Sequence, residues 1–204
     1  MVVVFLEEWK LERQVRDRER RLERLVKDYA SVYYLCKVSE LLKCRNQLED
    51  INPANPYIHL ADGVLCAKAA EPYSSYAQSV KHFNLFLRSF PYDEDAVWWR
   101  LDSATNLASE KHNTYFLSKI ARDAVKSFPH SIPILNAAYV AYHNGVQDMR
   151  EAMKVGVRIL ELDPYDDQIR KNVNTFIRML RDDEKFYSGL ISSRRGVRFD
   201  HKKC

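Results

Sequence analysis

Two proline turns divide residues 119–164, which read KIARDAVKSFPHSIPILNAAYVAYHNGVQDMREAMKVGVRILELDP. Each turn, at Pro129 and Pro164, separates two stretches whose apolar residues recur at helical spacing. Proline lacks a backbone donor and keeps the preceding residue extended, so each proline predicts a tight turn between two antiparallel helices. Similar turns lie upstream at Pro53 and Pro91, and the four prolines are separated by 38, 38 and 35 residues.

The positions after these prolines correspond from one repeat to the next. Residues five, eight and twelve positions on form three sets: Ile58, Ala96, Ile134 and Ile169; Ala61, Trp99, Ala137 and Asn172; Leu65, Ser103, Ala141 and Phe176. Within each repeat these three positions are three and four residues apart, which places them on one stripe of the helix, and we expect this stripe to be buried. Polar Ser103 and Asn172 indicate that the repeat has degenerated at those positions.

The periodicity predicts an all-α fold, and no segment shows the alternation typical of a strand. The predicted helices are 4–27, 29–50, 55–70, 74–89, 93–109, 114–128, 131–144, 147–162 and 166–181. Asp93, Ser131 and Asp166 are predicted to cap helix starts, and Gly145 to cap a helix end. We expect a charged N-terminal helix at 1–28, a repeat domain at 29–181 and a basic, flexible tail at 182–204.

The repeat resembles half-a-TPR and tetratricopeptide (TPR) units. In the half-a-TPR pattern a small-Arg pair precedes a proline turn, and the next helix carries aromatic residues before a terminal glycine. The matching residues are Ala121-Arg122, Ala124-Val125, Pro129, Tyr139, Tyr142 and Gly145. Ala124, Ala152 and Phe83 also fit the standard TPR pattern, from which Ala121, Gly156 and the long period depart. The resemblance covers residues 30–181 and implies an antiparallel helix-pair solenoid of about four repeats with an N-terminal capping helix.

This resemblance also implies a function. Half-a-TPR proteins work chiefly in RNA-processing and ribosome-biogenesis machines, which implies a non-enzymatic scaffold subunit of a nuclear complex that binds other protein subunits. A helical-repeat chain of this size is also similar to the helical-repeat subunit of the promoter-binding factor that starts RNA polymerase I transcription. The alternatives are a TPR adaptor and an assembly subunit of a mitochondrial or cytoplasmic complex. We therefore expect nuclear localisation, with the mitochondrial matrix or cytoplasm as alternatives.

No constellation in the sequence predicts an enzyme. The six histidines form neither HExxH nor a Cys/His cluster at zinc spacing, and the five glycines form no phosphate loop. His59 and Cys66 can share a helix face, but no third ligand lies near them in the sequence. We expect no catalytic residue, metal, cofactor or small-molecule substrate. No stretch approaches the roughly 18 apolar residues of a membrane span, so we expect no membrane contact.

One predicted helix carries the candidate partner-binding residues Trp98, Trp99 and Arg100. Successive helical positions point about 100° apart, so both tryptophans can hardly lie in the core together. We expect one of them in the core and the other at the surface, where tryptophan is a favoured interface anchor. The alternative is that neighbouring repeats cover both.

The two ends of the chain carry unusual charge. Between Glu7 and Asp28 eight basic and seven acidic residues flank a stripe that includes Leu11, Val15 and Leu22. This helix is expected either to cap the repeat stack or to project and grip a partner. The segment 184–204 holds six Lys or Arg against two acids, which equals the net charge of +4.

The basic tail is the candidate contact with nucleic acid or an acidic surface. The residues predicted to make it are Arg194, Arg195, Arg198, Lys202 and Lys203. Lysine and arginine bind phosphates through charge, without a fixed fold. The alternative is a tail that only increases solubility.

Overall fold

The computed structural model describes residues 2–29, 38–68, 75–111 and 114–179, with the α1 side chains described from Trp9 to Leu25. Within these ranges all regular structure is helical, which confirms the all-α prediction. The chain divides into two compact units, 1–113 and 114–204. Unit 1 contains α1 (Val2–Tyr29), α2 (Val38–Ile51), α3 (Pro56–Lys68), α4 (Tyr76–Ser89) and α5 (Glu94–Lys111). Unit 2 contains α6 (Thr114–Ser127), α7 (Ile132–Val140), α8 (Met149–Leu162) and α9 (Asp167–Met179). No helix in the described ranges is long and apolar enough to cross a membrane.

Four turns of the same construction join α2 to α3, α4 to α5, α6 to α7 and α8 to α9. Each turn contains one of the four repeat prolines and occupies residues 52–55, 90–93, 128–131 or 163–166. The amide of its first residue donates to a carbonyl four residues earlier, at 2.7–3.1 Å. The amide of its fourth residue donates to the carbonyl of the first, at 3.0–3.4 Å. The prediction that these prolines mark turns between helices is confirmed.

The fourth residue of each turn also caps the helix that follows. The side chains of Asp93, Ser131 and Asp166 accept hydrogen bonds from the amides three residues on, at 2.8, 3.2 and 2.9 Å. These are the three caps predicted from the sequence. Asn55 performs the same role for α3 by accepting from the Tyr57 amide at 3.0 Å. Each cap satisfies a helix-start amide that has no partner within the helix.

Helix α4 runs antiparallel to both α3 and α5. Tyr57, at the start of α3, packs on Phe86 near the end of α4, with ring centroids 5.4 Å apart. Near the start of α4, Ser79 donates to the Gly63 carbonyl at 2.8 Å and lies 2.8 Å from the hydroxyl of Ser103, near the middle of α5. Ser103 therefore acts as donor to Ser79. The polar residue that looked like degeneration of the repeat is a buried serine whose hydrogen bond is made.

Two equivalent positions of the repeat hold a glycine and an aromatic residue in both units, but in the opposite order. Gly63 and Tyr139 each lie ten residues after a repeat proline, whereas Phe83 and Gly156 each lie eight before one. A Cβ on Gly63 would lie 2.8 Å from the Phe83 ring. A Cβ on Gly156 would lie 3.4 Å from the Tyr139 ring and 2.6 Å from Val173. In each helix pair one large side chain fills the space and a glycine faces it, because a close-packed interior has no room for two.

The structure confirms the first position of the predicted buried stripe. At the second position, the buried residue in each unit 2 helix lies one place later than predicted. All four first positions are buried, namely Ile58, Ala96, Ile134 and Ile169. At the second position Ala138 and Val173 are buried, whereas the predicted Ala137 and Asn172 are only half-buried. Val173 contacts the site of Gly156, so α9 is turned to fill the space that this glycine leaves.

The end of α7 differs from the prediction. The helix continues as a π-helical turn, Ala141–Val146, which contains Gly145. The residue in the left-handed region is Gln147, with φ 59° and ψ 30°, and the Asp148 amide returns to the Tyr142 carbonyl at 2.9 Å. The prediction of Gly145 as the cap is wrong, because the wider turn moves the helix end two residues along the chain.

Candidate partner-binding surface

The two adjacent tryptophans of α5 have different environments. Trp99 is 2% exposed, and its ring lies against Phe83 of α4 with centroids 6.5 Å apart. Trp98 is half-buried and meets Trp99 edge to face, with centroids 5.1 Å apart. Helix geometry therefore predicted correctly that one tryptophan is core and the other reaches the surface. Because Trp99 contacts the protein's own helices, the partner-binding prediction stays with Trp98 and Arg100.

The structure does not bring Trp98 and Arg100 onto one face. Positions two apart on a helix point about 200° from each other. Arg100 is half-buried and turns toward α4, where its Nη1 donates to Asn84 Oδ1 at 3.4 Å. Trp98, Trp99 and Arg100 therefore do not form a single patch, and Trp98 is the member of the set best placed to contact a partner.

Helix α1, which the sequence predicts either to cap the repeat stack or to grip a partner, exposes the apolar side chains Trp9 and Leu11, of which the predicted stripe included only Leu11. Its side chains from Trp9 to Gln14 are all exposed, and we call residues 9–14 the exposed segment of α1. Trp9 is 51% exposed and Leu11 is 50% exposed. The Arg13 guanidinium lies over the Trp9 ring, 5.5 Å from its centroid. Tryptophan combines a large apolar surface with a polar N–H group, and it is enriched at protein interfaces for that reason.

The following part of α1 is held firmly on α2 and α3. Leu22 is fully buried there. Asn55 donates to Glu19 Oε1 and the Tyr57 hydroxyl donates to Glu23 Oε1, both at 2.6 Å. Burial, together with the Glu23 carboxylate, raises the pKa of Tyr57, so this phenol stays protonated and keeps donating. Helix α1 thus packs on unit 1 with one part and presents apolar side chains with another.

An open groove of about 440 Å³ lies between α1 and the end of α2. Its apolar lining comes from Leu11, Val15 and Ile51, and polar side chains complete it: Glu12, Arg16, Glu19 and Asn52. Arg16 pairs with Glu12 across one helical turn at 3.5 Å. The groove is therefore amphipathic, with apolar side chains bordered by charges of both signs.

A polar cluster on α3 and α4 is the group among the described residues that could hold a metal ion. It consists of His59, Asp62 and His82, and we call it the His–Asp–His cluster. Asp62 also accepts from Arg45 of α2, from Nε at 2.9 Å and from Nη2 at 3.4 Å. Sequence reasoning considered His59 with Cys66 and missed this cluster, because His82 lies on another helix. The available signal was Asp62, which is three residues after His59 on the same helix face.

The candidate tail contacts, Arg194, Arg195, Arg198, Lys202 and Lys203, lie outside the described residues. Their predicted role therefore rests on charge alone.

The sequence matches no family model and no curated protein. The resemblance to half-a-TPR units rests on the residues quoted above, and function has to be argued from the surfaces of the molecule.

Proposed function

We propose that the protein is a non-enzymatic scaffold subunit of a multiprotein nuclear complex. In this proposal it acts in transcription initiation, such as that by RNA polymerase I, or in RNA processing. It binds partner proteins through its helical repeats and the exposed segment of α1. The single observation that carries the proposal is the exposure of Trp9 and Leu11 beside an open groove, on a helix that is anchored further along. An exposed tryptophan on a well-anchored helix has the character of an interface hot spot.

The helix packing supports a repeat architecture of the TPR or half-a-TPR kind. The four turns share one hydrogen-bond pattern, and consecutive helices in each unit pack as neighbours. In unit 1, alternate helices also touch, since α3 contacts both α1 and α5. Helix-pair solenoids pack in this way, because each repeat buries its apolar stripe only against the next. Such folds serve docking, and the basic tail and the family resemblance favour a nuclear nucleic-acid complex.

We expect Trp9→Ala combined with Leu11→Ser to release partner proteins without unfolding the chain. Both side chains are half exposed, so their removal leaves no cavity, whereas losing one interface hot spot costs about 2 kcal/mol, or roughly 30-fold in affinity. The measurement is quantitative mass spectrometry of chains that co-purify with the tagged full-length protein from its own cells. Trp98→Ala is compared in parallel, because it tests the partner-binding residue predicted from the sequence.

Tyr165→Ala is the matched control, since this aromatic side chain is 87% exposed but lies on a turn of unit 2. Undiminished recovery of every partner by the Trp9 and Leu11 variant would contradict a binding role for the exposed segment of α1. Recovery of mitochondrial rather than nuclear chains by the unaltered protein would favour the assembly-subunit alternative.

We expect deletion of residues 192–204 to weaken nucleic-acid binding without releasing the protein partners. The five tail cations lie in this segment, and each phosphate contact contributes a slope of about −0.9 to the dependence of log K on log salt. The measurement is binding of a labelled DNA duplex to the purified full-length and shortened chains across a salt series. A control replaces Lys119 and Lys126, both exposed on α6, with glutamine. Equal affinities and equal salt slopes for the full-length and shortened chains would leave the tail without this role.

A further inference from the structure

Three metal-ligating side chains meet between α3 and α4 of unit 1. His59 Nδ1 and His82 Nδ1 are 3.4 Å apart, and Asp62 Oδ2 is 4.0 Å from His82 Nδ1. All three ligand atoms lie within 4.8 Å of one another. Two ligands that each lie about 2.1 Å from a tetrahedral Zn²⁺ are about 3.4 Å apart. The imidazole nitrogens already have this separation, and a small rotation of Asp62 would bring its oxygen to the same ion.

Arg45 holds Asp62 through both carboxylate oxygens. Its Nε donates to Oδ1 at 2.9 Å and its Nη2 donates to Oδ2 at the longer distance of 3.4 Å, and Oδ2 is also the oxygen 4.0 Å from His82 Nδ1. Carboxylates that bind metals are commonly held in this way by a hydrogen bond from outside the coordination shell. Arg45 also pairs with Glu49, so the two cations Arg45 and Lys81 near the cluster are balanced by two carboxylates. A divalent cation therefore meets no excess of positive charge.

The surroundings of His82 disfavour its charged form. Burial lowers the pKa of His82, as do His59, Lys81 and Arg45, whereas Asp62 opposes the shift.

We propose that the His–Asp–His cluster binds a divalent transition-metal ion, with Zn²⁺ as the best fit, and that the ion links α3 to α4. The protein supplies two imidazoles and one carboxylate, which leaves an open coordination position for water. Cys66 is half-buried on the same helix, but burial and the charge of Asp62 raise the pKa of its thiol, so it stays protonated at neutral pH. The site is distinct from the exposed segment of α1 and does not depend on the proposed scaffold function.

The test is calorimetric titration of Zn²⁺ into the purified full-length protein at neutral pH under reducing conditions. We expect one ion more per chain in the unaltered protein than in His82→Gln or Asp62→Asn, whose affinity at this site should fall about 100-fold or more. His130→Gln is the matched control, because this exposed histidine lies in unit 2. Affinity should also fall as the pH is lowered, because protons compete for the imidazoles.

Two further measurements separate binding from misfolding. In the presence of a chelator, the unaltered protein and the variants should have the same helix content, and Zn²⁺ should raise the Tm of the unaltered protein and of His130→Gln but not of the two cluster variants. Co²⁺ in place of Zn²⁺ should give a visible absorption spectrum typical of nitrogen and oxygen ligands, without sulfur charge transfer. Equal Zn²⁺ binding by the unaltered protein and the two cluster variants would overturn the proposal. A sulfur charge-transfer band that survives in the variants would show that the metal binds at cysteines instead.

Discussion

Replacing Trp99 with alanine is expected to lower the free energy of unfolding of unit 1 by about 3–5 kcal/mol. The Trp99 side chain is 2% exposed and packs between the rings of Phe83 and Trp98. The Lys68 ammonium lies 5.0 Å from the centroid of the Trp99 ring. Its removal leaves a large cavity, and neighbouring helices can close such a cavity only in part. Urea denaturation followed by tryptophan fluorescence measures the effect in unit 1, because all three tryptophans of the chain lie within residues 1–113.

Trp98→Ala provides the matched comparison, since it removes the same side chain from the next position. Trp98 is half-buried, so its loss should destabilise unit 1 by less than half as much as the loss of Trp99. The two variants should also differ in the amount of partner protein that co-purifies, because Trp98 is the tryptophan proposed to contact a partner. We expect the direct loss of partner contact in Trp98→Ala. Equal destabilisation by the two variants would contradict the assignment of Trp99 to the core.

Replacing Gly156 with leucine is expected to destabilise unit 2 by about 3 kcal/mol. The first added carbon would lie 2.6 Å from Val173 and 3.4 Å from the Tyr139 ring, so both neighbours must move. Leucine favours a helix over glycine by about 1 kcal/mol, which is too little to offset this overpacking. Unfolding is followed by far-ultraviolet circular dichroism, because unit 2 contains no tryptophan.

A double-mutant cycle attributes the effect to the contact with Val173. Gly156→Ala alone should be neutral or destabilising, because the clash works against the gain in helix propensity. Adding Val173→Ala removes the clashing methyl group, so the cost of the pair should be smaller than the sum of the single costs by about 1 kcal/mol. Additive costs would show that α8 and α9 do not approach each other at Gly156.

The turns could be predicted from the sequence because their chemistry is local. Each turn contains a proline, and in three of the turns the residue two positions after the proline is one that can cap the next helix. These two features mark where one helix ends and the next begins, whatever lies around them. Asn55 was open to the same reasoning, since it precedes Pro56 and proline is favoured at the first helical position. That Trp98 and Arg100 point away from each other also follows from the helical period alone, although the sequence reading had placed them together.

The remaining features depend on which residues meet across helices. The sequence indicates that one of the two tryptophans is buried, but the position of Phe83 on α4 decides that it is Trp99. The His–Asp–His cluster requires the register of α3 against α4, which no spacing within one helix reveals. Whether Trp9 is exposed likewise depends on how the neighbouring helices pack along α1. The apolar stripe along α1 therefore could not show which of its residues are buried.

The four matching turns also bear on how quickly the chain can fold. Every backbone hydrogen bond of these turns joins residues within one turn or at the adjoining helix ends, so the turn between a pair of helices needs no distant backbone group to form. The entropy lost in closing a loop grows with its length, and chains rich in contacts between near neighbours fold faster than chains that must join remote segments. Each helix pair is therefore a natural early step, and the rate of folding should respond more to the capping residues Asn55, Asp93, Ser131 and Asp166 than to contacts between repeats.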